Sequence, residues 1–276
     1  MKRAVKRAVR RDLVPAGGNP VRAPGLHVAA ADCETPRPGR LAQPVNAWSS
    51  LAATVAGAAG LAAVRQTRVD RTGPDGGRSG PARRRALAVA GLAIAANGPG
   101  GLAFHGPGGR WGRWLHDVAV VATLSAVAAV DIGDLLAGGP GRRESAAVRR
   151  NLLASQVAVD VLAGALLTRR ADLGGAVQGV LGGAVAIGEV AVGWRGLRPV
   201  LGPGVLMGAG ALIHARSRTG CPWCRPDSLL QGHAAWHVLS AAALGWWGVR
   251  AAGAPVTGRH PTPTGRRTRP TRCAPA

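Results

Sequence analysis

Tyrosine is missing from this chain of 276 residues, and phenylalanine occurs once. Single-stranded nucleic acid rests on stacked aromatic platforms, so the lack of Tyr and near lack of Phe argue against that partner despite a formal charge of +22. Acidic residues are few, 13 against 35 Lys and Arg, and Lys is confined to Lys2 and Lys6. The Arg residues fall in short clusters between long uncharged stretches, which is not the continuous basic face that a nucleic acid needs. Four Cys in this length are too sparse for a disulfide scaffold. The first 45 residues lack the apolar core of a cleavable signal peptide. No repeat of fixed period is present.

What the chain has in quantity is apolar residues, 47% of the total, which excludes disorder throughout. Residues 41–64, 86–109 and 228–249 carry no charge. Asp131 and Asp134 alone interrupt 118–137, Asp160 alone interrupts 151–168, and Glu189 alone interrupts 173–194. The stretch 199–215 holds only His214. Each is about 17–25 residues long, and about 20 residues of helix cross a bilayer core. The pattern predicts an all-α bundle of seven transmembrane helices near 46–64, 86–105, 115–137, 151–168, 172–194, 199–215 and 228–249. The competing reading is a soluble Ala/Gly-rich bundle. Residues 1–45 form a polar, Pro-punctuated N-terminal tail, 46–252 the membrane domain, and 253–276 a Pro/Arg/Thr-rich C-terminal tail; both basic tails are expected to be disordered.

Loop charge sets the expected orientation. The links after the first, third and fifth stretches, together with the C-terminal tail, hold most of the Arg residues. The links on the other side hold few. The C-terminus is therefore expected in the cytoplasm and the N-terminus outside the cell membrane, although the basic N-terminal tail pulls the other way.

Ionisable groups inside a bilayer are costly and need a reason. The seventh stretch opens with Gly232-His233-Ala234-Ala235-Trp236-His237, whose two His lie four residues apart on one helical face. His105 ends the second stretch and Asp117 begins the third. Alternating helix direction brings the end of the second and the starts of the third and seventh to the same membrane level. Three neutral imidazoles with a water make an open zinc site of the catalytic kind. Zinc brings the pKa of such a water to about 7, and Asp117 is the expected carrier of its proton. His116 is expected at the interface, facing elsewhere.

These motifs carry a family resemblance. Cys33-Glu34, then Gln43-Pro44-Val45-Asn46-Ala47-Trp48-Ser49, Phe104-His105, Asp117 and Gly232-His233-Ala234-Ala235-Trp236-His237 resemble the alkaline ceramidases. That family belongs to a wider group of seven-helix membrane hydrolases that includes the adiponectin and progestin receptors. The resemblance implies a zinc-dependent membrane amidase that cleaves ceramide or a related N-acyl lipid, with His105, His233 and His237 as ligands and Asp117 as acid/base. Two positions depart from it. The family pattern has a Ser four residues before the first His ligand, where this chain has Gly101; Asn97 lies one turn further back, across the Pro99-Gly100-Gly101 segment. The family's N-terminal acidic calcium site is represented by Glu34 alone, since Asp32 is displaced, Pro36 stands where an amide is expected and Gln43 replaces a carboxylate. A hard cation wants several charged oxygen ligands, so Ca2+ is a weaker expectation than Zn2+.

Cys33, Cys221 and Cys224 all fall on the N-terminal side of the membrane, where a bridge from Cys33 to Cys221 or Cys224 is allowed. The resemblance supports such a bridge between the N-terminal segment and the sixth link. Cys221-Pro222-Trp223-Cys224 also has redox spacing, but without the βαβ context of a thioredoxin. Cys273 is expected free. Asp131 and Asp134 are expected to face water at the far end of the third stretch, and Asp160 to bond within the bundle or mark a polar path. The expected function is lipid-amide hydrolysis with a membrane lipid as substrate. The alternative is a non-enzymatic receptor or scaffold with a structural zinc. A bis-His haem carrier ranks last, because His233 and His237 are too close to be opposite axial ligands.

Overall fold

The computed structural model describes residues 31–69, 80–137 and 145–253. Every regular element among them is helical. Their order is α1 (Pro44–Ser50), α2 (Ala52–Val69), α3 (Pro81–His105), α4 (Gly109–Ala137), α5 (Ala146–Arg169), a 3-10 turn (Ala171–Leu173), α6 (Gly174–Trp194), α7 (Leu201–Arg216) and α8 (Gly232–Ala252). Each of the seven expected stretches falls largely in a helix, with 199–200 and 228–231 outside and 172–173 in the 3-10 turn; the first is divided at Leu51 into α1 and α2. Five segments are long and apolar enough to cross a membrane: Pro44–Thr67, Pro81–His105, Gly109–Ala137, Ala146–Arg169 and Ala171–Trp194. The 16-residue α7 is short of a full crossing. The 21-residue α8 is interrupted by His233, His237 and Arg250 and is not apolar enough by the same measure.

The helices form an open arc rather than a closed ring. α7 packs on α8, α8 on α2, α2 on α3 and α3 on α4, while α5 and α6 each lean on α4. Neither α6 nor α7 is a principal neighbour of the other. The outer faces are apolar: Val161, Leu162, Val180, Ile187, Val190 and Val205 are all exposed. Water does not tolerate an apolar surface this continuous on a lone soluble bundle, and lipid does.

Small residues let the inner helices approach. A side chain at Gly57 would run into the Gly91 carbonyl, so α2 meets α3 backbone to backbone. Pro99 sits inside α3 without breaking it. Its ring removes the N–H that would reach the Ala95 carbonyl, and Thr54 Oγ1 on α2 donates to that oxygen instead at 3.1 Å. The Pro99-Gly100-Gly101 segment therefore stays helical.

The N-terminal expectation needs correction where the structure describes it. Residues 31–43, counted with the tail on sequence, fold onto the helix ends. Ala42 and Gln43 donate backbone N–H groups to the Gly106 and His105 carbonyls at 3.0 and 2.8 Å. Thr35 N–H reaches the Pro226 carbonyl at 3.1 Å. The bridge is Cys33–Cys224, and Cys221 is the free thiol. Thus Cys224 is committed to Cys33 rather than to a redox pair with Cys221. The expected disorder of 1–30 and 254–276, and Cys273 with it, lies outside the described residues.

Asp131 and Asp134 do not face water. They are 0% and 2% exposed, at the end of α4 remote from His105. Asp134 takes Arg83 through two bonds of 2.7 Å, Arg149 at 2.8 Å and Arg198 at 3.1 Å. Arg198 also pairs with Asp131 and Glu189, and Trp247 Nε1 donates to Glu189 Oε1 at 2.8 Å. Three Arg offset three carboxylates. The chain tolerates these groups beside an apolar core because each carries its partner. Asp160, on α5, accepts from Ser125 on α4 at 2.7 Å, which is the first of the two alternatives that the sequence left open.

Removing one member of this network should cost far more than removing a surface pair. Asp134→Asn leaves three guanidinium groups short of a charge and is expected to cost about 3–5 kcal/mol. Asp172→Asn breaks only the exposed Arg170 pair and should leave Tm unchanged in a detergent melt. The bridge is tested in the same melt: Cys33→Ser should cost about 2–5 kcal/mol, and Cys221→Ser nothing measurable.

Candidate metal centre

His105 is the last residue of α3, and His233 and His237 lie in the first two turns of α8. Their ring nitrogens meet: one ligand atom from each lies within 4.8 Å of the other two. The closest approach is between His233 Nε2 and His105 Nε2, at 3.2 Å. Two nitrogens on one tetrahedral zinc, at Zn–N distances of about 2.0–2.1 Å, stand about 3.3 Å apart. That pair is spaced like two ligands of one ion, and a nitrogen of His237 lies within 4.8 Å of both.

The outer nitrogens explain why the inner ones are available. Gln43 Nε2 donates to the Glu34 carbonyl at 3.0 Å, which turns Gln43 Oε1 toward His105 Nδ1 at 2.8 Å. An oxygen there requires Nδ1–H, so the lone pair of His105 is on Nε2. Ser49 and Ser50 both donate their hydroxyls to the Asn46 carbonyl, at 3.0 and 2.8 Å. Their oxygens then accept from His237 Nδ1, at 2.9 and 3.3 Å, which leaves the Nε2 lone pair of His237 free. His233 Nδ1 faces His214 Nδ1 at 3.0 Å and Asp32 Oδ1 at 3.6 Å. All three rings are thus held at Nδ1, and Nε2 of His105 and His233 face each other, an arrangement usual around a metal. The residues present fit a borderline-soft divalent ion such as zinc.

Glu34 and Asp32 part company. Glu34 spends its two oxygens on the backbone N–H groups of Val45 and Asn46, both at 2.9 Å, where it caps α1. Asp32 instead groups with His214 and His233. Burial pushes the Asp32 carboxyl up to about 6, against the opposing pull of His116 and Arg218. The two carboxylates that sequence assigned to calcium therefore address different partners. The Cys33–Cys224 bridge, with Thr219 accepting from Cys33 N–H at 3.1 Å, holds Asp32 beside His233.

No family model, curated protein or solved structure matches the chain. Nothing outside the chain therefore assigns this centre, and its chemistry rests on the residues themselves.

Asp117 is buried but joins neither group of converging ligands. Its Oδ1 takes Gln178 Nε2 at 2.9 Å and His116 Nδ1 at 3.0 Å, and Arg113 stands 3.6 Å from Oδ2. The ring of His116 lies 6.3 Å from that of His105, centroid to centroid. The link from Asp117 toward the centre runs through His116, which sequence had turned away. A helix places neighbouring residues about 100° apart, but a side chain as long as histidine can swing back.

Gly101 has a counterpart across the interface. A Cβ built there would lie 2.5 Å from Ser50 Oγ and 2.7 Å from Ser50 Cβ. Ser50, on α1, fills the space a side chain at 101 would need. Asn97 does not substitute: its Nδ2 donates to Thr123 Oγ1 at 2.6 Å and to backbone carbonyls of its own helix. Sequence reasoning missed Ser50, Gln43 and His214 as partners of the ligands. The one signal available was their polarity at the ends of apolar stretches.

Loss of an outer partner should loosen the metal without unfolding the bundle. Gln43→Leu frees the His105 ring and is expected to weaken Zn2+ binding by about 10–100-fold in a chelator competition. A matching loss is expected for the Ser49→Ala, Ser50→Ala double variant.

Proposed function

We propose that the protein is a multi-pass cell-membrane hydrolase that uses one zinc ion to cleave the amide bond of ceramide or a related N-acyl lipid. The observation that carries this reading is the convergence of His105, His233 and His237, one ring nitrogen of each within 4.8 Å of the others and each ring held by a different partner at Nδ1. The resemblance of these motifs to the alkaline ceramidases supports the substrate class. The apolar outer faces support a bilayer setting and a lipid substrate. In this reading α7 and α8 complete seven spans, with the N-terminus outside and the C-terminus in the cytoplasm. The substrate enters sideways between α6 and α7.

A zinc ion bound here supplies Lewis acidity to the amide carbonyl and a water acidified to a pKa of about 7. The chain supplies the rest. His105, His233 and His237 fix the ion. Asp117 accepts from His116 Nδ1–H, so that the far nitrogen of His116 can take a proton and return it to the leaving amine. Asp117 is then a positioning residue that acts through His116. Gln178 and Arg113 keep its carboxylate in place.

A second reading has a specific observation in its favour. Asp117 is not among the ligating groups, and Gly101 carries no hydroxyl of its own. A receptor or scaffold with a structural zinc would need neither.

One assay separates the two. Purified protein is given a panel of ceramides and other N-acyl lipids, with zinc quantified in the same sample. The amidase reading expects release of fatty acid by the wild type and a fall of about 10²–10⁴ for Asp117→Asn and His116→Ala, with zinc retained in both. Equal release by wild type and variants, at full zinc content, would sink it.

A further inference from the structure

Among the described residues, one side chain is buried with both of its polar atoms unpaired. Asn46 is 0% exposed, and neither Nδ2 nor Oδ1 has a hydrogen-bond partner. Its backbone is already committed: the N–H goes to Glu34 Oε2 at 2.9 Å, and the carbonyl takes the Ser49 and Ser50 hydroxyls. The side-chain amide remains. An orphaned buried amide costs stability, so a chain that keeps one has another use for it.

Its position says where that use lies. Asn46 stands three residues after Gln43, three before Ser49 and four before Ser50, and these spacings line one face of a helix. Gln43 on that face holds His105, and Ser49 and Ser50 hold His237. Asn46 lies between the residues that touch one metal ligand and those that touch another. α1 packs on α3 and α8, the two helices that supply all three ligands.

We propose that Asn46 is a catalytic residue of this centre, its Nδ2 donating to the substrate carbonyl oxygen as negative charge develops there and its Oδ1 accepting from the attacking water. The proposal rests on the amidase reading. In the reaction the water oxygen bonds to the carbonyl carbon and the C–N bond breaks. One proton of the water ends on the departing amine. A missing donor and a missing acceptor on one amide match an oxygen that gains charge and a water that gives up a proton. Burial excludes competing solvent, which makes such a donor worth most. The hydroxyl absent at Gly101 is therefore not the only route by which this centre can stabilise an oxyanion.

The test sets stability against turnover, using Asn46→Leu, which keeps the branching but removes the polar atoms, and Asn46→Ala should the larger side chain prevent folding. Both the zinc-loaded protein and a Co2+-substituted sample are measured. The expected N46L keeps its metal, has a metal-free Tm equal to or above that of the wild type, and loses about 10²–10³ in kcat with little change in KM. Its Co2+ absorption bands shift, because the water on the ion loses a partner. Unchanged kcat with a lowered Tm makes Asn46 a structural residue and overturns the proposal. If the wild type binds Co2+ but hydrolyses no lipid in the panel, the amidase reading fails, and the catalytic role of Asn46 falls with it. The Co2+ bands then say whether Asn46 touches the centre at all. A wild type without Co2+ bands overturns both.

Discussion

Helix α1 grips two walls of one small space. At its N-terminus Gln43 fixes the His105 ring, and at its C-terminus Ser49 and Ser50 fix the His237 ring. α1 is itself anchored by Glu34, whose carboxylate takes two of its free N–H groups. An imidazole offers a metal only the nitrogen that its other hydrogen bond leaves free. The orientation of a seven-residue helix thus decides whether His105 and His237 are ligands or ordinary buried rings. The third candidate ligand, His233, depends on a different brace, made of His214 and Asp32.

The polar groups gather in two layers, one at each end of the bundle. Asp117 and Asp134 lie seventeen residues apart on α4, about 25 Å along the helix axis, close to the thickness of a hydrocarbon core. At one end three Arg and three carboxylates neutralise one another and tie α3, α4, α5 and α6 to the α6–α7 link. At the other end three imidazoles are drawn together, with Asp32 the one carboxylate grouped with any of them among the described residues. The first layer balances its charges internally, although Asp131 Oδ2 and Arg198 Nε make no hydrogen bond, and it reads as structural. The second has lone pairs to spare, and Asn46 beside it has a whole amide to spare, which reads as a place for chemistry.

The Cys33–Cys224 bridge and the fold-back of residues 31–43 join these parts. They close the helix ends where the ligands sit and bring Asp32 against His233. A segment that sequence treats as a polar tail is therefore the outer wall of the centre. The acidic residues in it have structural duties: Glu34 caps a helix, and Asp32 braces an imidazole.

Sequence alone determined the helices, because an uncharged run of bilayer length admits few other structures and its ends are marked by Arg, Pro and Gly. It also put His105, His233 and His237 at one level, since alternating helix direction follows from counting. Only the tertiary structure decided which side chains face them. Asp131 and Asp134 look like surface carboxylates until Arg83, Arg149 and Arg198 arrive from distant parts of the chain. His116 lies beside Asp117 in sequence, but its nearness to the His105 ring depends on how α3 packs on α4. Ser50 and Gly101 are unremarkable apart and complementary together. Periodicity reports the face a residue lies on within its own helix, and a hydrogen bond between helices depends on the rotation of both, which no single stretch of sequence encodes.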